Sequence, residues 1–199
     1  LLYIIASLFS PIKARLSDQS SQRDIMLQLL KKYPGSSEDF FKLWPHDKLY
    51  FFDHEGLSGL AYKVENGVAL VVGDPAGQPD SFAKLLKAFM AYCHSNDWQP
   101  AFVHTEVKNE KLYEKFKFNI QKIGEEAVID VPGFVSTTSR NKYFRHIRNK
   151  FSKQGYSCGL LAPPHSPAII SRLVQISDSW LEAPGRSERG FMLGYFSEA

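Results

Sequence analysis

The sequence predicts a mixed α/β fold of the α+β kind, and three observations predict it. Two apolar runs, 59–64 and 68–72, flank Asn66-Gly67, whose tolerance of positive φ suits a two-residue turn and pairs the runs as an antiparallel hairpin. Gly73-Asp74-Pro75-Ala76-Gly77-Gln78 follows the second run directly and leads into a helical run over 81–95. A further strand–helix–strand order follows over 101–131, closed by Pro132-Gly133.

At 199 residues the chain has room for one full domain and part of another. A net charge of +3 is modest, so any attraction for polyanions must come from a local patch. Cys93 and Cys158 are too few for a disulfide framework or a metal knuckle and read as buried small hydrophobes in a reducing compartment. The histidines His46, His54, His94, His104 and His165 show no ligand spacing, so no metal is expected.

Taken in order, residues 1–9 (LLYIIASLF) are apolar but about half as long as a bilayer-spanning helix. Pro11 breaks the run and Lys13 and Arg15 follow, an order that fits the end of a membrane helix with its cytoplasmic basic flank; a buried N-terminal helix is the other reading. A helix is predicted over 20–33, with Ile25, Met26, Leu29 and Leu30 on one face and Pro34-Gly35 as its stop. Strands follow at 49–53, 59–64 and 68–72. The glycine turn after them offers backbone N–H groups where an anion could sit, or is a plain strand-to-helix connection. Beyond the 81–95 helix come a strand at 101–105, a short helix at 110–116 and a pair of strands over 120–131 bent near Gly124. Glu125 and Glu126 would then face opposite sides, so at most one points inward.

Residues 134–139 form a polar linker, and the stretch 140–154 (RNKYFRHIRNKFSKQ) is the most distinctive in the chain. As a helix it places Tyr143, Ile147 and Phe151 on one stripe beside Phe144, suited to docking on a core. Its other faces carry Arg140, Lys142, Arg145, Arg148, Lys150 and Lys153. Between Pro132 and Leu181 the single acidic residue is Asp178. A solvated surface helix and a phosphate-binding one share this pattern. A strand at 156–161, a stop at Pro163-Pro164, a helix over 166–182 and a strand-like segment at 186–196 complete the chain.

The order of the first part resembles the GNAT acyltransferase fold, and Leu112-Tyr113-Glu114-Lys115-Phe116-Lys117-Phe118 resembles a segment near the end of that fold. The later elements resemble the start of a second copy. An acetyl-CoA site in that family needs a glycine-rich turn of successive N–H groups. Here Pro75 has no N–H to donate, which argues against an acyl-CoA-dependent N-acyltransferase.

Residues 50–196 resemble the C-terminal catalytic region of the phosphatidylglycerol lysyltransferases, the aminoacyl-phosphatidylglycerol synthases of bacteria. The landmarks are Val72-Gly73-Asp74-Pro75-Ala76-Gly77, Ile123-Gly124-Glu125-Glu126-Ala127, Arg145-His146-Ile147-Arg148-Asn149, Pro163-Pro164, Ile176-Ser177-Asp178-Ser179-Trp180-Leu181 and Glu188-Arg189-Gly190-Phe191-Met192-Leu193-Gly194. The resemblance implies an organisation of 1–19 as the end of a transmembrane helix and juxtamembrane linker, 20–133 as a first GNAT-like domain, 134–139 as linker and 140–199 as the truncated start of a second. The chain is thus expected to be a fragment, inactive alone.

The implied reaction passes an aminoacyl group, lysyl by the family's name, from aminoacyl-tRNA to phosphatidylglycerol. The product is a cationic lipid that weakens the attraction of antimicrobial peptides for the membrane. No cofactor is needed beyond the tRNA co-substrate. The implied partners are aminoacyl-tRNA, phosphatidylglycerol, the bacterial membrane and an upstream transmembrane domain, with this region on the cytoplasmic side. Under that resemblance Arg140, Arg145, Arg148, Asn149 and Lys150 are expected to contact phosphates of the tRNA or the lipid. Asp178, Glu188 and Arg189 are expected near the aminoacyl end, and no catalytic residue is assigned. A non-catalytic module that binds RNA or anionic membrane through 140–154 is the alternative from another class.

Overall fold

The computed structural model describes residues 20–193 and 195–197; the expected membrane-helix end and linker at 1–19 lie outside them. Among the described residues no helix is long and apolar enough to cross a membrane.

The chain divides into two compact units, one formed by 20–120 with 177–197 and the other by 121–176. The first unit is built on a sheet of β1 (Leu49–Phe52), β2 (Ser58–Glu65), β3 (Val68–Val72), the two-residue β4 (Ala76–Gly77) and β5 (Gln99–Val103). The order is β1-β2-β3-β5, with β4 pairing β2. The first three strands are antiparallel, and β3 and β5 are parallel.

Local chemistry explains the register. Glu65 pairs with Val68, and Asn66 and Gly67 adopt φ of 50° and 77°, so the two-residue turn tightens as its sequence requires. Alternation then sorts the side chains. Leu49, Leu60, Tyr62, Ala69 and Val71 join one core, while Tyr50 and Ala61 join another on the opposite face. Helix α1 (Ser20–Lys32) covers the second face with Met26 and Leu30. The crossover helix α3 (Phe82–Ser95), which follows the short α2 (Asp39–Leu43) in chain order, covers the first with Leu85, Phe89 and Cys93. Both faces of the sheet are therefore buried, with Leu60, Phe89 and Val71 fully so. The short helix α4 (Glu110–Lys115) closes this part by burying Tyr113. This order is compatible with the GNAT-like expectation.

Four expected strands, the pair over 120–131 and one each at 156–161 and 186–196, are absent from the described residues. Residues 120–130 form no strand, and Ile123, Val128 and Ile129 stand exposed; Glu125 pairs with Lys122 at the surface instead. An apolar alternation becomes a strand only where another backbone accepts from its N–H groups and donates to its C=O groups, and here no partner lies among the described residues. The same reason applies to 156–161, where Leu160 is 96% exposed, and to 186–196, which makes turns. In place of the second strand's end lies α5 (Val131–Ser136), whose start Asp130 caps by accepting from the Gly133 N–H. Helix α6 (Lys142–Lys153) and helix α7 (Pro167–Leu181) form near their expected bounds. Cys158 is exposed, contrary to the expected burial, in a segment that pairs with no strand among the described residues.

Candidate functional site

The first unit carries a cavity of about 680 Å³. One wall is α2, which supplies Phe40 and Phe41, with Trp44 just beyond it; the other is 177–196, which supplies Trp180, Arg186, Glu188, Arg189, Tyr195 and Phe196. Phe40, Trp44 and Tyr195 form a row with ring centroids 5.6 Å apart at each step, tilted by 37° and then 31°. The Arg186 guanidinium lies 4.9 Å over the Trp180 ring and donates to the Trp180 carbonyl. Glu188 Oε1 accepts from the Phe196 N–H, which folds the wall back on itself. Arg189 makes no ion pair among the described residues.

This wall is held by two residues just before β1. Asp47 Oδ2 accepts from the Phe191 N–H at 2.8 Å, and Lys48 Nζ donates to the Phe191 carbonyl at 2.8 Å. Lys48 is almost wholly buried, pairs with Asp47 Oδ1 at 2.6 Å and lies against the Phe191 ring. Burial opposes the charge on both groups. It wins at Lys48, whose ammonium is held below its ordinary value, whereas at Asp47 the bonds from Lys48 and Phe191 outweigh it and lower the carboxyl. Gly190 fits because a Cβ there would press on Asp47 Oδ2 at 2.8 Å. Phe191 itself takes a left-handed φ of 65°, which turns the chain toward the clasp.

A second polar group sits where β3 and β5 end. Asp74 accepts from the Tyr113 hydroxyl at 2.8 Å and from the Glu106 N–H at 2.9 Å. Burial first, and the Asp74 charge second, keep the Tyr113 phenol protonated far above its ordinary range. Glu106 pairs with Lys108, and that bond raises the Lys108 ammonium above its ordinary value. Lys42, on α2, is 2% exposed and paired with Asp39. Glu38 meets His104 at 3.2 Å through Oε1, while its Oε2 is buried without a partner. The short α2 thus sends its aromatic residues to the cavity and its charged ones to the strand ends.

The glycine turn does not present an anion cradle. The Gly73 N–H bonds the Val103 carbonyl, the Gln78 N–H bonds the Leu57 carbonyl, and Ala76 and Gly77 pair with β2. Gly77, at φ of 117°, leaves no room for a Cβ beside the Leu57 carbonyl. Its glycines serve a tight sheet edge.

Of the residues singled out by sequence, Glu188 and Arg189 line the cavity and Asp178 does not; it lies exposed on α7, its carbonyl accepting from Glu182. Arg140, Arg145, Arg148, Asn149 and Lys150 belong to the second unit, all exposed, on α6 and the turn before it. None of the four cations makes an ion pair among the described residues. The aromatic stripe of α6 is not buried as expected, with Tyr143 66% and Phe151 47% exposed; Phe144 meets Phe134, and Phe151 meets Tyr156, in edge contacts only. Among the described residues no cluster of His, Cys, Asp and Glu could hold a metal ion. Phe40, Trp44 and Tyr195 escaped the sequence reading because they come from distant segments, although the density of rings in Phe40-Phe41-Trp44 beside charged residues was a usable signal.

Fold and site together define an α/β domain, GNAT-compatible in its order, whose cavity joins aromatic rings to guanidinium groups. A family model described as phosphatidylglycerol lysyltransferase, C-terminal, matches residues 27–199, and the chain belongs to that family. It is 35% identical to the phosphatidylglycerol lysyltransferase of Bacillus subtilis (strain 168) over 150 residues, 75% of this chain and 17% of that protein. It is 29% identical to that of Staphylococcus epidermidis over 198 residues, 100% of this chain and 23% of the relative. The chain therefore spans about a fifth of the curated relatives it matches. The solved structure of L-PGS from Bacillus licheniformis matches with a TM-score of 0.76 and 27% identity, covering 95% of this chain and 56% of that one. A C-terminal DUF2156 domain from Agrobacterium fabrum, at 0.76 and 20% identity over 90% of this chain and 56% of that one, shares the fold.

Proposed function

We propose that these residues are part of a bacterial membrane enzyme that moves a lysyl group from aminoacyl-tRNA to a glycerol hydroxyl of phosphatidylglycerol, on the cytoplasmic side. The observation that carries this reading is the family match across 27–199. In the reaction the lipid hydroxyl attacks the ester carbonyl, a tetrahedral oxyanion forms, and the ribose hydroxyl leaves with a proton. One ester replaces another, so no external energy source is required, and catalysis rests on orienting both substrates and stabilising the oxyanion. Arg140, Arg145, Arg148 and Lys150, which make no ion pair among the described residues, supply with Asn149 beside them cations for phosphates of the RNA. The product carries an added ammonium group, which lowers the negative surface potential of the membrane and with it the attraction of cationic peptides.

Assayed as its full open reading frame in phosphatidylglycerol vesicles, the protein is expected to convert labelled lysyl-tRNA into a labelled lipid that RNase abolishes; no labelled lipid rejects the reading. The 199 residues alone are expected to be inactive, and turnover by them would contradict that. The double variant Arg145→Glu, Arg148→Glu should reduce the log–log salt slope of tRNA binding by about 0.7–0.9 for each phosphate that is no longer neutralised. An unchanged slope removes α6 from the RNA interface. The acyl-CoA alternative gains little from the glycine turn, where Pro75 has no N–H and the Gly73 and Gln78 amides bond the Val103 and Leu57 carbonyls.

A further inference from the structure

We infer that the cavity between α2 and the 177–196 wall is a nucleotide site, taking a base against the open faces of its rings and a phosphate on its guanidinium groups, as the single-stranded end of an RNA presents them. The inference rests on the RNA-donor reading above and adds where in the first unit the donor's end is held.

The cavity's composition is the first argument. Six of its thirteen lining residues are aromatic and one, Leu193, is a branched aliphatic. Phe40 is 59% exposed, Trp180 51% and Tyr195 39%, so these rings do not fill a core. Rings that stay open to solvent in a row, with centroids 5.6 Å apart, offer π faces to a flat partner. An acyl chain has no π face and would be served better by aliphatic walls.

Charge is the second argument. Arg186 and Arg189 stand against the single carboxylate of Glu188, and one oxygen of that carboxylate already accepts the Phe196 N–H. Aromatic rings with a free carboxylate would suit an ammonium group, but a two-to-one excess of guanidinium favours an anion. Arg186 is spread over Trp180, a planar cation on a planar ring, and this pairing extends the stacking surface as it does in single-stranded RNA recognition. At about 680 Å³ the cavity falls within the range that holds a small molecule the size of one nucleotide.

The test uses the 199-residue chain and adenosine monophosphate as the probe. Trp44 and Trp180 line the cavity and Trp98 is buried in the sheet core, so ligand quenching of the first two is read against a shielded third. Saturable quenching at millimolar probe that weakens as salt rises is expected. Arg189→Ala, at an exposed position, should weaken it about tenfold; Tyr195→Leu should do the same, and Tyr195→Phe should retain it because the ring remains. Since exposed Arg189 makes no ion pair or side-chain hydrogen bond among the described residues, its variant keeps the test decisive even where Tyr195→Leu unfolds. Failure of adenosine monophosphate to bind overturns the assignment. So does saturable binding of dihexanoyl-phosphatidylglycerol or lysine amide in its place. Where the nucleotide fails yet whole tRNA still binds in a salt-dependent way, the cavity assignment falls and the RNA-donor reading stands. Where tRNA itself does not bind, both fall.

Discussion

The two units make different use of the same residue types. In the 20–120 part of the first, apolar alternation ends in paired strands and buried polar groups find partners: Lys42 with Asp39, Lys48 with Asp47, Asp74 with the Tyr113 hydroxyl. In the second, Ile123, Val128, Ile129 and Leu160 remain exposed, and Arg145, Arg148 and Lys150 meet no counter-charge among the described residues. The difference teaches that strand-forming capacity and positive charge are unfinished statements in a sequence. A backbone partner completes the one. A counter-ion, from the protein or from a ligand, completes the other.

The comparison can be broken at its strongest point first. Phe89 is fully buried on α3 against the sheet, so Phe89→Ala should destabilise the first unit by about 3–5 kcal/mol, while Leu160→Ala, at a side chain 96% exposed, should change stability by under about 0.5 kcal/mol. Urea denaturation of both variants checks this; equal effects would erase the distinction between the units.

Next in size is the clasp. Asp47→Asn leaves the buried Lys48 ammonium without its counter-charge and should cost about 2–4 kcal/mol. Because the folded Asp47 carboxyl lies below its ordinary 3.8, it binds fewer protons in the folded state than in the unfolded. Its contribution is complete above that ordinary value and fades as pH falls through the lower folded one, so the wild type should lose stability on acidification below about pH 4 and Asp47→Asn should lose less. Lys48 acts with the opposite sign: its depressed value is a cost at neutral pH that eases only at alkaline pH. Parallel acid denaturation curves for the two proteins would exclude the clasp as a titrating contact.

The smallest effect belongs to the second unit. Asn141 caps α6 by accepting from the Phe144 N–H at 3.0 Å. Asn141→Ala should therefore cost about 1 kcal/mol of helix stability, seen as a loss of far-ultraviolet ellipticity. A loss as large as that of Phe89→Ala would mean that α6 is integral to a cooperative core.

What could be read from the sequence follows the same division. The Asn66-Gly67 hairpin was legible because a tight turn is a property of two adjacent residues. The helices at 20–32 and 82–95 were legible because their apolar faces repeat locally. The strands expected at 120–131 and 156–161 were not, since pairing depends on a remote segment. Glu188 and Arg189 were found through a motif, and both line the cavity. The rings opposite them were missed because Phe40 and Tyr195 are brought together only by the fold. Asp178, named through its motif, lies exposed on α7 and is not among the residues that line the cavity.

The clasp joins residues 144 and 143 positions apart, Asp47 and Lys48 to Phe191. On the ribosome, the strands and their covering helices are all synthesised before that tail emerges. The sheet can consequently set before its cleft exists, and the cleft's far side is added only when the stretch around Phe191 has been made.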